Sequence, residues 1–173
     1  MAQLIITAVG PDQPGLVGQL TGHVRDGGGN IVESRMVNLR GQFAVILLVE
    51  GEEPAIRKLR VSLVEAGERM GLHVSTSVHA APAQKVAGLP YRLKTYSLDQ
   101  PGIMHAVTDV LRAHGVNIED LQARQESAAF SGTPLFVMEM HLTVPANMSV
   151  RTLRQELEKQ CEKLNCDMDM EPA

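Results

Sequence analysis

Apolar residues in this chain follow two spacings that alternate along it. Largely apolar runs are typical of buried strands, whereas apolar residues three and four positions apart indicate amphipathic helices. Residues 3–9 therefore predict a buried strand, and Leu16, Leu20 and Val24 predict one face of a helix. We expect Pro14 at the first helical position, where its fixed φ and missing N–H are tolerated, and the three glycines at 27–29 to end the helix.

The alternation of strand and helix patterns continues to residue 80. Residues 31–39 and 43–50 flank a short turn at 40–42 and predict a β-hairpin. An acidic, proline-containing start at residues 52–54 predicts a second helix that ends at Gly71, and residues 73–79 predict a fourth strand. The order β-α-β-β-α-β predicts an α+β fold, a four-stranded antiparallel sheet with both helices on one face, which is the ferredoxin-like arrangement.

A repeat shows that this unit is used twice. The tetrapeptide Asp-Gln-Pro-Gly at residues 12–15 returns at 99–102, and the same offset of 87 residues aligns Asn30 and Ile31 with Asn117 and Ile118. The second helices align at an offset of 94. A repeat of this length indicates a duplicated domain. We predict a first domain at residues 1–80, a linker at 81–89 and a second domain at 90–173.

The second copy predicts the same elements in the same order. They are strands at 91–98, 117–125, 134–144 and 166–170, and helices at 101–114 and 149–164, with Ser149 as an N-cap. Most of the additional residues fall in a longer hairpin loop at 126–133, which contains Phe130. This loop is interpreted as a plain insertion, with a lid over a pocket as the alternative.

Composition narrows the functional classes. The chain has 173 residues, 44% of them hydrophobic, a net charge of −4 and a pI near 5.8. It has no basic excess for gripping a phosphate backbone, so we expect no direct contact with nucleic acid. The first residues contain no basic leader, and the longest apolar run, at 43–49, is far too short to span a bilayer. These features predict a soluble, cytoplasmic protein without membrane association.

Catalytic and metal-binding patterns are missing from the sequence. It contains no GxSxG, no Gly-rich phosphate loop, and no ligand spacing among its six histidines. We therefore predict a protein that is not an enzyme and has no catalytic residues, metal site or cofactor. Cys161 and Cys166 are interpreted as reduced, structural thiols. His105 is read as a solvated helix residue, with a ligand contact as the alternative.

The repeated loop could bind an anion. Its backbone amides at Gly15, Leu16 and Val17 are unpaired donors at the positive end of a helix, and Gly15 allows close approach. Asp12 adds a carboxylate, and Asn30 is expected to lie beside the loop. A free amino acid needs such donors and acceptors together. The second copy repeats this set with four residues: Asp99, Gly102, Ile103 and Asn117. The alternative is that the aspartates cap turns and that the glycines and asparagines serve only the backbone.

The D-x-P-G loop between a strand and a helix, followed by a G-x-N-I segment, resembles the ACT domain family. In this sequence those segments are residues 12–15 with 28–31, and 99–102 with 115–118. The resemblance covers almost the whole chain, and two such domains without another resemble the glycine cleavage system transcriptional repressor group. It implies that a small amino acid, glycine or serine, binds at interfaces between ACT domains through this loop and asparagine.

The resemblance also implies that the signal passes to a protein partner, such as a DNA-binding regulator or an enzyme. Val9 stands before the first loop where amino-acid-binding members often have a polar residue, whereas Ser97 precedes the second, which favours the second site. Open sheet edges predict a homo-oligomer. The alternative function is a structural assembly module that binds no small ligand.

Overall fold

The computed structural model describes residues 1–78, 87–127 and 132–173. The chain divides into two compact units, Met1–Ala83 and Gln84–Ala173. Unit 1 contains β1 (Ala2–Pro11), α1 (Leu16–Asp26), β2 (Asn30–Leu39), β3 (Gln42–Gly51), α2 (Glu53–Arg69) and β4 (His73–Val78). Unit 2 contains β5 (Gly88–Leu98), α3 (Ile103–Ala113), β6 (Asn117–Ser127), β7 (Pro134–Pro145), α4 (Val150–Lys163) and β8 (Cys166–Pro172).

Each unit is built on one antiparallel sheet. The strand orders are β2-β3-β1-β4 and β6-β7-β5-β8, so the first strand of each unit lies in the interior of its sheet and the second strand lies at an edge. The predicted α+β fold, with two ferredoxin-like units in tandem, is confirmed. Both hairpins carry a register shift near the start of the edge strand, between Ile31 and Glu33 and between Ile118 and Asp120.

The core of each unit lies between the sheet and its two helices. Alternate residues of β1, namely Leu4, Ile6 and Ala8, are completely buried against the helices because successive side chains in a strand point to opposite faces. The apolar positions predicted for α1 and α2 are buried as well. Unit 2 repeats the pattern with an apolar cluster from β5, β7, α3 and α4. The hydrophobic pattern therefore determines which face of each sheet the helices cover.

The helices that follow the repeated loops begin later than expected. Gly15 and Gly102 each have a φ of 94°, which is left-handed, and the helices begin at Leu16 and Ile103. The prediction of Pro14 at the first helical position, and of Pro101 as the start of α3, is wrong because a left-handed residue cannot belong to a right-handed α-helix. Ser149 does cap α4 as predicted, accepting a bond from the Thr152 amide at 3.4 Å.

Two predicted segments fall wholly or partly outside the described ranges. Strand β5 begins at Gly88 rather than at residue 91, so the last two residues of the predicted linker 81–89 belong to a strand. The remainder of that linker, up to residue 86, lies outside the described residues. The predicted loop 126–133 is described only at its ends, and Phe130 lies outside the described residues. In the ranges that are described, no helix is long and apolar enough to cross a membrane.

Candidate functional site

The two repeated loops have the same backbone geometry. Gly15 and Gly102 both cap their helices in the left-handed conformation, and their carbonyls accept the amides of Gln19 and Ala106 at 2.9 Å. No side chain caps either helix. The first-turn amides therefore remain as donors at the positive end of each helix, which is the arrangement that binds anions. The side chains of Leu16 and Ile103 are buried in the core, so these residues offer only their backbone.

Glycine is required in these loops for its conformation and also leaves space above them. A Cβ built on Gly102 would have no neighbour within 4 Å, and one on Gly15 would contact only the end of the Gln19 side chain, at 3.5 Å. A φ of 94° is nevertheless strained for any residue with a Cβ. The space above Gly102 is therefore open to a small ligand, and the space above Gly15 is bordered only by the end of the Gln19 side chain.

The loop aspartates bind the hairpin of their own unit. Asp12 Oδ2 accepts a bond from Asn38 Nδ2 at 2.5 Å, and Asp99 Oδ2 accepts one from Gln125 Nε2 at 2.7 Å. The amide of Asp12 also donates to the Gly41 carbonyl at 2.8 Å. Asn38 and Gln125 are related by the repeat offset. The aspartates thus hold the loop in place, and each carboxylate keeps further acceptor capacity for a ligand.

The loop glutamines have a role that the sequence reading missed. Gln13 Nε2 donates to the carbonyl of Met70 at 3.0 Å, and Gln100 Nε2 donates to that of Leu164 at 2.6 Å. These carbonyls lie at equivalent positions, at the C-terminal ends of α2 and α4, where helices leave acceptors unpaired. The sequence did contain an indication of this role, because both copies have glutamine at the second position of the loop and a turn alone does not require glutamine there.

The predicted asparagines lie far from the loop of their own unit. Asn30 pairs with Glu50, which pairs with Gln3 near the start of β1, whereas the loop follows Pro11 at the opposite end. Eight strand residues at roughly 3.3 Å each separate the two positions by about 26 Å. The expectation that Asn30 lies beside its own loop is therefore wrong. The reason is that α1 returns the chain to the other end of the sheet before β2 begins.

Asn117 occupies the matching position in unit 2. It pairs with Thr143, which pairs with Pro90 at the beginning of β5, while the loop follows Leu98. Its side-chain amide donates to Glu119 Oε1 at 2.7 Å. Each unit therefore carries the loop at one end of the sheet and the asparagine at the other.

Ser97 does not line the loop as expected. It lies on the core side of β5, pairs with Cys166 and is only 5% exposed. The repeat offset aligns Ser97 with Gly10, whereas Val9 aligns with Tyr96 and points to the opposite face of its sheet. Val9 is therefore not the counterpart of Ser97, and the preference for the second site stays a prediction.

His105 lies on the surface of α3. It lines a shallow depression of about 300 Å³ with Thr108, Asp109, Arg112 and Ile118. Arg112 donates to Asp109 at 2.8 Å and holds the pKa of that carboxyl below its usual value. In unit 1, a groove of about 360 Å³ lies between α1 and α2. Neither depression includes residues 12–15 or 99–102.

Taken together, the fold and the loop define a protein of two small α+β units, each with a helix that follows a left-handed glycine and has no side-chain cap at its N-terminus. Residues 2–77 match the ACT domain family model. A UPF0237 protein of Methanopyrus kandleri is 33% identical over 76 residues, which are 43% of this chain and 84% of that protein. The chain belongs to the ACT domain family.

Similarity also extends over both units. The glycine cleavage system transcriptional repressor of Escherichia coli is 27% identical over 162 residues, which are 94% of this chain and 85% of that protein. The crystal structure of an unknown protein from Galdieria sulphuraria superimposes with a TM-score of 0.83 at 27% identity, over 99% of this chain and 98% of that one. These relationships support a regulatory ACT protein.

A further solved structure agrees with the fold. It is that of a candidate glycine cleavage system transcriptional repressor, with a TM-score of 0.74 at 20% identity, covering 98% of this chain and 96% of that chain. At this identity the likeness concerns the fold alone. The tandem arrangement of two such units is therefore shared with known proteins along almost the entire chain.

Proposed function

We propose that this chain is a non-catalytic regulatory protein that senses a small amino acid, glycine or serine, at interfaces between ACT units. The observation that carries the proposal is the repeated loop, in which a left-handed glycine leaves uncapped amides open at a helix N-terminus in both units. The full-length similarity to a glycine cleavage system transcriptional repressor points to glycine metabolism as the regulated process.

The loop and the asparagine offer complementary groups for an amino acid. The amides of Leu16 and Val17 are donors for the ligand carboxylate at the positive end of the helix. The Asn30 side chain supplies both a donor and an acceptor, and the acceptor suits the ligand ammonium group. In unit 2, Gly102, Ile103 and Asn117 play the same parts. A ligand with a small side chain suits a site made mainly of backbone.

The strand register supports a site shared between units. Because the loop and the asparagine of one unit lie about 26 Å apart along the strands, a ligand cannot bridge them within that unit. A site that uses both groups must take the loop from one unit and the asparagine from another. Binding would then stabilise the association of ACT units, and in this way the ligand would change the surface that a partner meets.

The partner in this proposal is another protein. The net charge of −4 does not favour direct contact with a phosphate backbone. A DNA-binding regulator of glycine metabolism would therefore receive the signal through protein contacts. Homo-oligomerisation belongs to the same proposal, because β2 and β6 lie at sheet edges.

An assembly module without a ligand is the second candidate. It is favoured by the fact that three of the four polar side chains of the predicted site already have partners within their own unit. Asp12 accepts from Asn38, Asp99 accepts from Gln125, and Asn117 donates to Glu119. In that case the loop residues stabilise the unit, and the regulatory partner responds to the assembled protein alone.

Thermal unfolding in the presence of each amino acid separates the two candidates. Ligand at a hundredfold excess over Kd should stabilise the protein by about 2.7 kcal/mol, which is a shift of several degrees for a chain of this size. We expect glycine or serine to produce the shift and Asn30→Ala combined with Asn117→Ala to remove it. Gln122→Ala is the matched control, because Gln122 is an exposed amide on the same strand as Asn117.

Two results would count against the proposal. No shift with any amino acid would leave the assembly module as the better description. A shift that survives in the asparagine variants and also in Asp12→Ala and Asp99→Ala would show that a ligand binds elsewhere. Circular dichroism of each variant checks that the fold is retained.

A further inference from the structure

One region of the core differs in chemistry between the two units. In unit 1, the space beneath the end of β1 is closed by Leu72, which packs on two glycines. A Cβ on Gly67 would lie 2.4 Å from Val74 Cγ2 and 2.9 Å from the Leu72 carbonyl, and a Cβ on Gly10 would lie 2.9 Å from Leu72 Cδ2. The repeat offsets place Ser97, Cys161 and Cys166 at the positions of Gly10, Gly67 and Leu72. Polar groups thus replace a packed apolar contact.

The two cysteines meet across a short turn. Cys161 is in the last turn of α4, and Cys166 is the first residue of β8. Both are free and buried, at 2% and 7% exposure, and both belong to the core cluster of unit 2, where each thiol influences the pKa of the other. The Cys166 thiol donates to the Asp167 carbonyl at 3.5 Å. They are the only cysteines in the chain. Two neighbouring thiols with no competing cysteine are the minimum requirement for an internal disulfide.

Two buried hydroxyls face the same place. Thr95 Oγ1 and Ser97 Oγ are 1% and 5% exposed as residues, and neither has a hydrogen-bond partner among the described residues. An unpaired buried hydroxyl is costly, so its presence here calls for a polar or charged neighbour. Ser97 pairs directly with Cys166 between β5 and β8, which places its hydroxyl on the same side of the sheet as that thiol.

The surroundings make the two thiols unequal. The neighbouring Cys161 thiol, the hydroxyls of Thr95 and Ser97 and the Tyr96 amide lower the pKa of Cys166 to about 7, although burial opposes this effect. The neighbouring Cys166 thiol and burial raise the pKa of Cys161, and nearby Asp167 adds to the increase. Near neutral pH a substantial fraction of Cys166 is therefore thiolate, while Cys161 retains its proton beside it.

We propose that Cys161 and Cys166 form a reversible modification site, at which a small hydroperoxide converts the two thiols into an internal disulfide. The Cys166 thiolate attacks one peroxide oxygen, the O–O bond breaks, and the departing hydroxide takes a proton and leaves as water. The Cys161 sulfur then attacks the resulting sulfenic acid, its proton leaves with the hydroxyl as a second water, and the S–S bond forms. Hydrogen peroxide is the electron acceptor, and an external dithiol reverses the change by exchange.

The position of the turn gives the modification a route to the neighbouring loop. Leu164 lies between the two cysteines, and its carbonyl accepts the bond from Gln100 in the loop at residues 99–102. A disulfide closes the turn that carries this acceptor. Oxidation of unit 2 therefore acts on the anchor of its loop, whereas unit 1 has no cysteine and cannot respond.

Intact mass and thiol titration of the full chain test the proposal directly. After treatment with hydrogen peroxide, we expect the wild type to lose the mass of two hydrogen atoms and to fall from two titratable thiols to none under denaturing conditions. Dithiothreitol should restore both. Retention of two thiols, a gain of oxygen without loss of hydrogen, or a disulfide between chains on a non-reducing gel would overturn the proposal.

Single variants distinguish the roles of the two sulfurs. Cys161→Ala should stop at the sulfenic acid, so that the mass rises by one oxygen atom. Cys166→Ala should react roughly tenfold or more slowly at neutral pH, because the remaining thiol is not activated. Equal rates in the two variants would contradict the assignment of Cys166 as the attacking sulfur. Ser97→Ala should slow the first step while preserving the disulfide product.

Discussion

The outer sheet faces of the two units, which the helices leave uncovered, differ although their strand register is the same. In unit 1 the central pairs on this face are Ile5 with Leu48 and Thr7 with Ile46. In unit 2 the corresponding pairs are Arg92 with His141 and Lys94 with Glu139. The helix-covered faces, in contrast, remain mostly apolar in both units. The fold therefore constrains one face of each sheet and leaves the other free to take on separate tasks.

The two outer faces suit different neighbours. In unit 1, Ile46 and Val9 are 45% and 41% exposed and lie near each other on adjacent strands. This part of the outer face therefore presents apolar side chains to the solvent. In unit 2, Arg92 forms ion pairs with Glu139, at 3.6 Å, and with Glu171, and Lys94 lies 5.1 Å from the centre of the Tyr96 ring. That face is satisfied by its own charges and remains compatible with water.

Introducing a cysteine of unit 2 at the equivalent core position of unit 1 should have the largest effect on stability. Gly67→Cys places a side chain where Val74 and the Leu72 carbonyl already lie, so we expect a loss of about 1–3 kcal/mol from overpacking. The matched control is Gly18→Cys in α1, where a Cβ meets nothing within 4 Å. Urea denaturation measures both. Equal stability of the two variants would mean that unit 1 can accommodate the side chain as unit 2 does.

The thiols should give unit 2 a dependence on pH that unit 1 lacks. The pKa of Cys166 falls from 9.0 to about 7 on folding, so the unfolded chain binds more protons between these values and stability rises as the pH increases from 7 to 9. We expect a rise on the order of 1 kcal/mol. Above pH 9 the raised pKa of Cys161 opposes any further gain.

Denaturation at several pH values under reducing conditions measures this effect. Cys166→Ala should remove the rise between pH 7 and 9, and a matched change at the apolar counterpart, Leu72→Ala, should leave it in place. A rise that persists in Cys166→Ala would assign it to other groups. The expected direction follows from the neighbouring Cys161 thiol and from the hydroxyls and the amide that surround this sulfur.

The glutamine anchors should contribute equally to the two units. Gln13→Ala and Gln100→Ala each remove one bond to a helix-end carbonyl, at an expected cost of about 0.5–1.5 kcal/mol. Gln155→Ala is a control, because Gln155 is exposed on α4. Urea denaturation gives the stability, and amide exchange in the loops reports their order. A loss of stability in only one of the two variants would show that the contact is present in both units but stabilises only one of them.

The charged outer face should show the smallest effect. Arg92→Ala removes two exposed ion pairs, which contribute little because water and salt screen them. We expect a slight loss of stability at low salt that disappears at high salt. Ile5→Ala, the equivalent change in unit 1, should not depend on salt. A large loss for Arg92→Ala would mean that this network supports the sheet.

The sequence was sufficient to predict the fold for two reasons. The hydrophobic period is a local property of each segment, and the repeat offset is found by aligning the chain with itself. Leu4, Ile6 and Ala8 mark a buried strand without reference to other segments. The position of Asn30 was not predictable in this way, since it depends on which strands pair and on their register. The conformation of Gly15 was also missed, because a proline before a helix suggests a first helical turn as readily as a loop.

The cluster of Cys161, Cys166, Thr95 and Ser97 is a second feature that the sequence alone did not predict. Cys161 and Cys166 are close in sequence, but Thr95 and Ser97 join them only because β5 pairs with β8. Their offset partners in unit 1 are Ala8 and Gly10, so the substitution of small apolar residues by hydroxyls was visible in the aligned repeat. The alignment did not show that the hydroxyls of Thr95 and Ser97 lie on the side of the sheet that carries the two sulfurs.

Because the loop and the asparagine lie at opposite ends of a unit, their separation also determines how many ligand sites are completed when two units pair. In a dimer of two copies related by a twofold axis, a unit and its symmetry mate would each offer a loop to the other's asparagine, so one pairing completes two sites together. In the proposed sensor, dissociation of a saturated pair would then fall with the square of the ligand concentration, as binding linkage requires. Such a protein would respond to its amino acid over a narrower range of concentration than a single pocket permits.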